Sequence, residues 1–250
     1  MDRPTGTIGQ EFARFHFSLV LPFYNEEDSI VPAVTGLIGV LDGAGLDYQL
    51  VLVDNGSRDR TPVLLRELVR ENHRLKPVSV DENIGLGWGV ISGLREAEGE
   101  WIGYMDGDAQ IAPDDVERFL ARADPAQCDM VKVRRRVRRD GFIRARVSEV
   151  YVILFCLLFG IRIYDVNAKP VIFRREWLDR LSLRSRDWFI DAELTLKADH
   201  LGMRIREVPM TFHRRSAGRS SVGVATVFEF IRNIARYALG GEYKKWKTNR

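Results

Sequence analysis

The chain has 250 residues, 45% hydrophobic and 29% charged, enough apolar material for one large core or two small ones, which excludes a disordered composition. Lys and Arg total 38 against 35 Asp and Glu, so the net charge of +3 gives no global pull toward a polyanion, and an electrostatic partner must be met by a local cluster. Cys128 and Cys156 lie in apolar runs without metal-ligand spacing and read as reduced thiols of a cytosolic protein, and MDRPTGTIGQEFARFHF has no signal-peptide layout, so no export is expected.

From Phe17 onward, strand-like and helix-like runs alternate. FSLVLP is followed by Glu26 to Leu41, where Ile30, Val34, Leu37, Ile38 and Leu41 fall at helical spacing, and then by the strand-like YQLVLVD. A helix over Thr61 to Asn72 leads to KPVSV, one over Leu86 to Ala97 leads to WIGYM, and one over Asp114 to Ala123 leads to CDMVKV. This alternation predicts an α/β fold with a parallel, doubly wound sheet and right-handed connections. Ligands of such sheets bind outside the carboxyl ends of the strands. Three strands end there in polar sets, PFYNEE, DNGSRD and DGDAQ. Singly, Asn55-Gly56 reads as a turn and Asn25-Glu26-Glu27 as a helix start; together the three sets read as a site. NIGLGWGVISG is glycine-rich, but Val90 stands where a dinucleotide fingerprint needs its third glycine, and the stretch follows the third strand, so a nicotinamide cofactor is set aside.

The fourth strand ends in two acids one residue apart, Asp106 and Asp108. Two close carboxylates repel, which raises one pKa unless a cation lies between them; solvated acids on a surface turn are the plain alternative. Further on, KVRRRVRRDGFIRARVSEVY carries eight cations against one acid, Asp140, between Lys132 and Arg146, and runs into the apolar VYVILFCLLFGI. That apolar run falls well short of the roughly 20 residues that span a bilayer, which leaves a buried core helix or an interfacial one. A basic stretch beside an apolar one suits a membrane surface with anionic headgroups; a nucleic-acid patch or a solvated helix face are the rivals.

In order and spacing, LPFYNEE, VDNGSRD, ENIGLGWGVISG, DGDAQ and the closing DWFIDAELTLKADHLGMRIREVPMTFHRRSAGRSS resemble the motifs of family 2 glycosyltransferases, over Phe17 to about Ser221. More narrowly they resemble the polyprenol-phosphate mannose or glucose synthases. The resemblance implies a GT-A fold, a Rossmann-like, mostly parallel sheet with helices on both faces. It places Pro22, Tyr24, Asn25 and Glu26 at the nucleotide pocket, Asp54 on the nucleobase, and Asn83 and Gly85 where backbone approaches the donor. Asp106, Gly107 and Asp108 become the metal motif, with Asp106 toward the ribose and ion, Asp108 on the ion and Gln110 completing the shell. The ion is Mg²⁺ or Mn²⁺, taking oxygen ligands and the donor's diphosphate. Arg215 clamps the diphosphate and Ser220 belongs to a closing loop.

On the acceptor side the resemblance implies that Arg144 and Ser148, matching an R-x-x-x-S pattern, hold the lipid phosphate, and that one cation of Arg134 to Arg136, here Arg134, adds a second contact. In YDVNAKPVIFRRE, Asp165 sits at the family's acid, while Asn167, Lys169 and Pro170 stand where Cys-Gly-Phe is usual. The implied reaction is inverting, metal-dependent transfer of a hexose from a UDP- or GDP-sugar to a polyprenyl phosphate. A lipid phosphate is already ionised and needs no strong base; a hydroxyl acceptor on a glycan or lipid is the alternative and would need one, with Asp165, Asp191 and Glu193 as candidates. A nucleic-acid-binding module is the remaining rival; with the transferase reading, no nucleic acid is expected as partner. The catalytic domain is placed at 1–221, with its acceptor and membrane-facing segment at 132–161. Residues 222–250 are read as an amphipathic helix and a basic tail, where Lys244, Lys245 and Lys247 flank Trp246 as an interfacial anchor or as a plain capping helix. The expected location is peripheral, at the cytoplasmic face of the membrane, with a membrane-protein partner or a homo-oligomer left open.

Overall fold

Strands β1 (Phe17–Phe23) and β2 (Tyr48–Asp54) are almost wholly buried, as central strands covered on both faces must be. Along β1 the side chains alternate between two cores. Phe17, Leu19, Leu21 and Phe23 pack with Ile30, Val34, Leu37 and Leu41 of α1 (Ile30–Gly43), whereas Val20 packs with Val90, Ile91 and Leu94 on the other face. The computed structural model describes residues 17–107, 113–137, 152–153, 155–211, 232–237 and 242–248.

The remaining elements are α2 (Thr61–Glu71), β3 (Leu75–Ser79), α3 (Leu86–Arg95), β4 (Trp101–Tyr104), α4 (Pro113–Leu120), β5 (Met130–Val137), β6 (Val171–Arg174), α5 (Leu178–Leu181), α6 (Ile190–His200), β7 (Ile205–Thr211) and α7 (Glu242–Thr248). The seven strands form one sheet in the order β3-β2-β1-β4-β6-β5-β7. The chain winds outward from β1 through β2 to β3, then returns to the other side at β4. That reversal is a topological switch point, where a crevice opens beyond the strand ends. The sheet is mostly parallel, as expected: among the described strands β6 runs antiparallel to both β4 and β5, and the other pairs are parallel. VIFR is only four residues long and has no polar alternation that would mark it as a return strand.

A third apolar cluster lies outside the sheet and answers the question of the VYVILFCLLFGI run. Phe155, Ile161 and Val166 pack with Phe189 and Leu196, and with Ile234 and Tyr237 of the helical segment 232–237. Ile153, Leu157 and Leu158 of the same run turn outward, Leu157 at 75% and Leu158 at 61% exposure. The run is therefore half core and half surface. In α7, Tyr243 contacts Phe159 at 6.0 Å between ring centroids, and Trp246 Nε1 donates to the Arg180 carbonyl oxygen. Those aromatics cap the body, the capping-helix alternative of the two read for this tail, and Lys244, Lys245 and Lys247 remain on the surface.

Candidate active site

Phe23 and Asp54 are partners in the β1–β2 register, so the loops after them start side by side. They then interlock through neutral and charge-assisted hydrogen bonds. The Asn25 N–H donates to Ser57 Oγ at 3.1 Å and the Arg58 N–H to Asn25 Oδ1 at 2.8 Å. The Glu26 N–H donates to Thr61 Oγ1, the Glu27 N–H to Asp59 Oδ2, and the Arg60 N–H to Glu27 Oε2. Asn25 has φ of 54°, a left-handed conformation that Asn tolerates better than most residues. Asp54 is buried and accepts from the Ser57 N–H at 2.9 Å, while Tyr24 stands exposed beside the half-buried Pro22.

Asn83 Oδ1 accepts from the Gly85 N–H at 3.0 Å, and Asn55 Nδ2 donates to the Gly85 carbonyl oxygen at 3.2 Å. Glycine at 85 also has a packing cause. Gly85 has φ of 125°, and a Cβ there would lie 2.3 Å from the Arg186 carbonyl oxygen. Gly85 is thus required by packing of the α3 start against 185–187. Gly107 has a cause of the same kind, since a Cβ would come 2.3 Å from Phe23 Cε1 where the β4 loop crosses the end of β1.

The charged centre lies between β4 and β6. Tyr104 pairs with Val171 in the antiparallel register, and two further residues along each chain bring Asp106 opposite Lys169. The Lys169 ammonium lies 3.1 Å from Asp106 Oδ1 and 3.3 Å from Asp191 Oδ2, and 5.2 Å from the centre of the Trp188 ring. Tyr104 OH donates to Asp191 Oδ1 at 2.7 Å. Burial alone would lower the Lys169 pKa, but the carboxylates of Asp106 and Asp191 outweigh it and hold the ammonium above the ordinary lysine range. Burial pushes Asp191 up, opposed by Lys169 and Tyr104, and burial likewise raises Tyr104 well above the usual phenol range, with Asp191 adding to it. In the sequence Lys169 reads only as a departure from a motif. Its signal was the register: a reversed strand beginning two residues after it.

The region between β5 and the 164–166 segment is built from paired charges. Arg135 makes two hydrogen bonds to Asp165, Nε to Oδ2 at 2.8 Å and an Nη to Oδ1 at 2.9 Å. Glu207 accepts from the backbone N–H groups of Tyr164 and Asp165, and Arg134 lies over the exposed Tyr164 ring at 4.7 Å. Lys132 is buried, donating to the Val166 carbonyl oxygen and to Thr195 Oγ1; burial lowers its pKa to about 8, partly offset by Asp165, Asp191 and Glu207. Glu193 is not brought to this cluster. Two positions from Asp191 on α6, it points about 200° around the helix, pairs with Lys197 at 2.6 Å and accepts from the N–H groups of Arg184 and Ser185. It holds the 182–185 turn and is thereby set apart from Asp165 and Asp191, the other two candidate bases.

Among the described residues no group of three His, Cys, Asp or Glu is arranged to hold a metal ion. Asp106 nevertheless suits a hard cation: its carboxylate is 36% exposed at the switch point, with Oδ1 on Lys169. Asp108, Gln110, Arg144, Ser148, Arg215 and Ser220 lie outside the described residues.

A mostly parallel seven-stranded sheet with helices on both faces, and acids at the carboxyl edge where the strand order reverses, is the GT-A arrangement of a glycosyltransferase. The chain belongs to glycosyl transferase family 2, whose family model matches residues 18–181, and it is a glycosyltransferase. It is 30% identical over 230 residues to the dodecaprenyl-phosphate galacturonate synthase of Rhizobium johnstonii, covering 91% of this chain and 68% of that protein. It is 28% identical over 219 residues to the undecaprenyl-phosphate 4-deoxy-4-formamido-L-arabinose transferase of Edwardsiella ictaluri, covering 87% of this chain and 66% of that one. The chain thus spans about two thirds of the length of these relatives. Among solved structures, it matches the Mycobacterium tuberculosis glucosyl-3-phosphoglycerate synthase crystallised with Mn²⁺, UDP and phosphoglyceric acid, with a TM-score of 0.70 at 22% identity, over 95% of this chain and 84% of that one.

Proposed function

We propose that this protein transfers a sugar from a nucleotide-sugar donor to a polyprenyl phosphate, with inversion at the anomeric carbon and with a divalent ion. The observation that carries the choice of acceptor is the state of the candidate bases. Asp165 is paired with Arg135, Asp191 with Lys169 and Glu193 with Lys197. A hydroxyl acceptor would need one of them to take its proton, whereas a phosphate oxygen is ionised at neutral pH and needs only to be positioned. The names of the two relatives point the same way.

The phosphate oxygen attacks the anomeric carbon as the bond to the nucleoside diphosphate breaks, and the bonding electrons leave with the diphosphate. Asp54 and the interlocked loops after β1 and β2 would hold the nucleoside. Asp106, with Asp108 and Gln110, would hold Mg²⁺ or Mn²⁺, which as a Lewis acid neutralises the departing diphosphate. Arg215 and Ser220 would close over the donor, and Arg134, Arg144 and Ser148 would receive the acceptor phosphate. The exposed Ile153, Leu157 and Leu158 support a membrane-facing side for residues 132–161, from which a polyprenyl chain is reached. No helix among the described residues is long and apolar enough to cross a membrane.

The test is a panel of UDP- and GDP-sugars with polyprenyl phosphate and Mn²⁺, reading label moved to the organic phase. The expected result is transfer that is lost in EDTA and falls at least about 100-fold in Asp108→Ala. Turnover unchanged by EDTA, or label moved only to a hydroxyl acceptor, overturns the reading.

A further inference from the structure

Lys169 places a fixed positive charge on the acid expected to meet the metal ion. We propose that the Lys169 ammonium is a built-in counter-cation that disfavours a divalent ion at Asp106 until a nucleoside diphosphate arrives, so that ion and nucleotide bind as a coupled pair. This rests on the reading of Asp106 as a metal-site residue.

Three observations carry it. The ammonium bridges Asp106 and Asp191 at 3.1 and 3.3 Å, cancelling one of the two carboxylate charges that would attract an ion. It cannot swing away cheaply, because the side chain is 5% exposed and packed against Trp188. It is also held from behind: Asp191 is fixed by Tyr104 as well as by Lys169, and the β4–β6 register sets Lys169 opposite Asp106. A dication added to such a centre meets a like charge in partly buried surroundings, where screening by water is weak. A diphosphate supplies the negative charge that lets both cations stay. By linkage, whatever factor the nucleotide contributes to ion affinity, the ion contributes to nucleotide affinity. Lys169 acts through Asp106 and is therefore a positioning residue.

The experiment is Mn²⁺ binding followed by loss of the free-ion electron paramagnetic resonance signal, on the full chain, with and without UDP and separately GDP. Wild type is expected to bind Mn²⁺ weakly alone and at least tenfold more tightly with the matching nucleotide. Lys169→Met and Lys169→Gln, the latter keeping an N–H donor for the carboxylates without the charge, are expected to bind Mn²⁺ alone at least tenfold more tightly than wild type, with the nucleotide effect shrinking by a similar factor. Lys169→Arg, which keeps the charge, is expected to follow wild type. Circular dichroism melts identify which variants are folded, and either neutral variant suffices. Neutral variants with wild-type ion affinity and undiminished nucleotide coupling overturn the proposal while leaving the metal reading intact. Absence of Mn²⁺ binding by every protein, even with nucleotide, overturns both.

Discussion

The two sides of the sheet are stabilised in different ways. From β1 to β4 the buried polar groups are largely neutral: Ser18 Oγ donates to Gln49 Oε1 at 2.6 Å, and the loops are tied by backbone N–H groups to nearby side chains. From β5 to β7 the interior holds full charges, with Lys132, Asp165, Lys169, Asp191, Glu193 and Lys197 all buried. A neutral hydrogen bond contributes about 1 kcal/mol and its loss is tolerated, whereas a buried ion left without its partner costs about 3–5 kcal/mol. The first side is thus a rigid mould held by local hydrogen bonds between its loops. The second is an electrostatic device whose parts depend on one another.

The largest effect is expected at the junction of the two sides. A Cβ on Gly103 would lie 1.9 Å from the Val171 carbonyl oxygen, so Gly103→Ala forces β4 and β6 apart and should cost about 4 kcal/mol or more. Gly36, with nothing within 4 Å of a Cβ, is the control; Gly36→Ala in α1 should leave stability unchanged or raise it by about 0.5–1 kcal/mol. Urea midpoints of the two variants decide it, and equal values would remove the junction from the account.

A smaller effect should separate the sides by pH. Lys132 has a folded pKa of about 8, below its unfolded value of 10.5, so between those values the unfolded chain binds the extra proton and stability rises with pH. This contribution is complete above the unfolded value and is lost as pH falls through 8. Between pH 7 and pH 10 the unfolding free energy of wild type relative to Lys132→Met should therefore shift in favour of wild type by about 2–3 kcal/mol. A pH-independent gap between the two proteins in denaturant melts would count against a buried, readily neutralised lysine.

The smallest effect belongs to the neutral side. Ser57→Ala removes the acceptor of the Asn25 N–H and should cost about 1 kcal/mol, with a raised KM for the donor and a nearly unchanged kcat. A loss confined to kcat would assign Ser57 to the reaction rather than to the mould.

Much of the first side was legible in the sequence because its signals are local. Ile30, Val34, Leu37 and Leu41 gave their helix by spacing, and PFYNEE and DNGSRD lie directly after their strands. The second side was legible in its acids but not in their partners. Asp191 and Glu193 look alike two residues apart, yet one meets Lys169 at the strand edge and the other meets Lys197 behind it. Helical geometry separates their directions, but only packing shows what each direction meets.

By itself the sequence determined the alternating elements, the two apolar faces of the sheet and the paired acids after β4, since burial periodicity and turn chemistry act within a few residues. Tertiary structure alone decided that β6 runs backward and that Lys169 therefore stands opposite Asp106. Strand direction and ion pairing are set by contacts between distant segments, and a period of two residues is the same whichever way a strand runs.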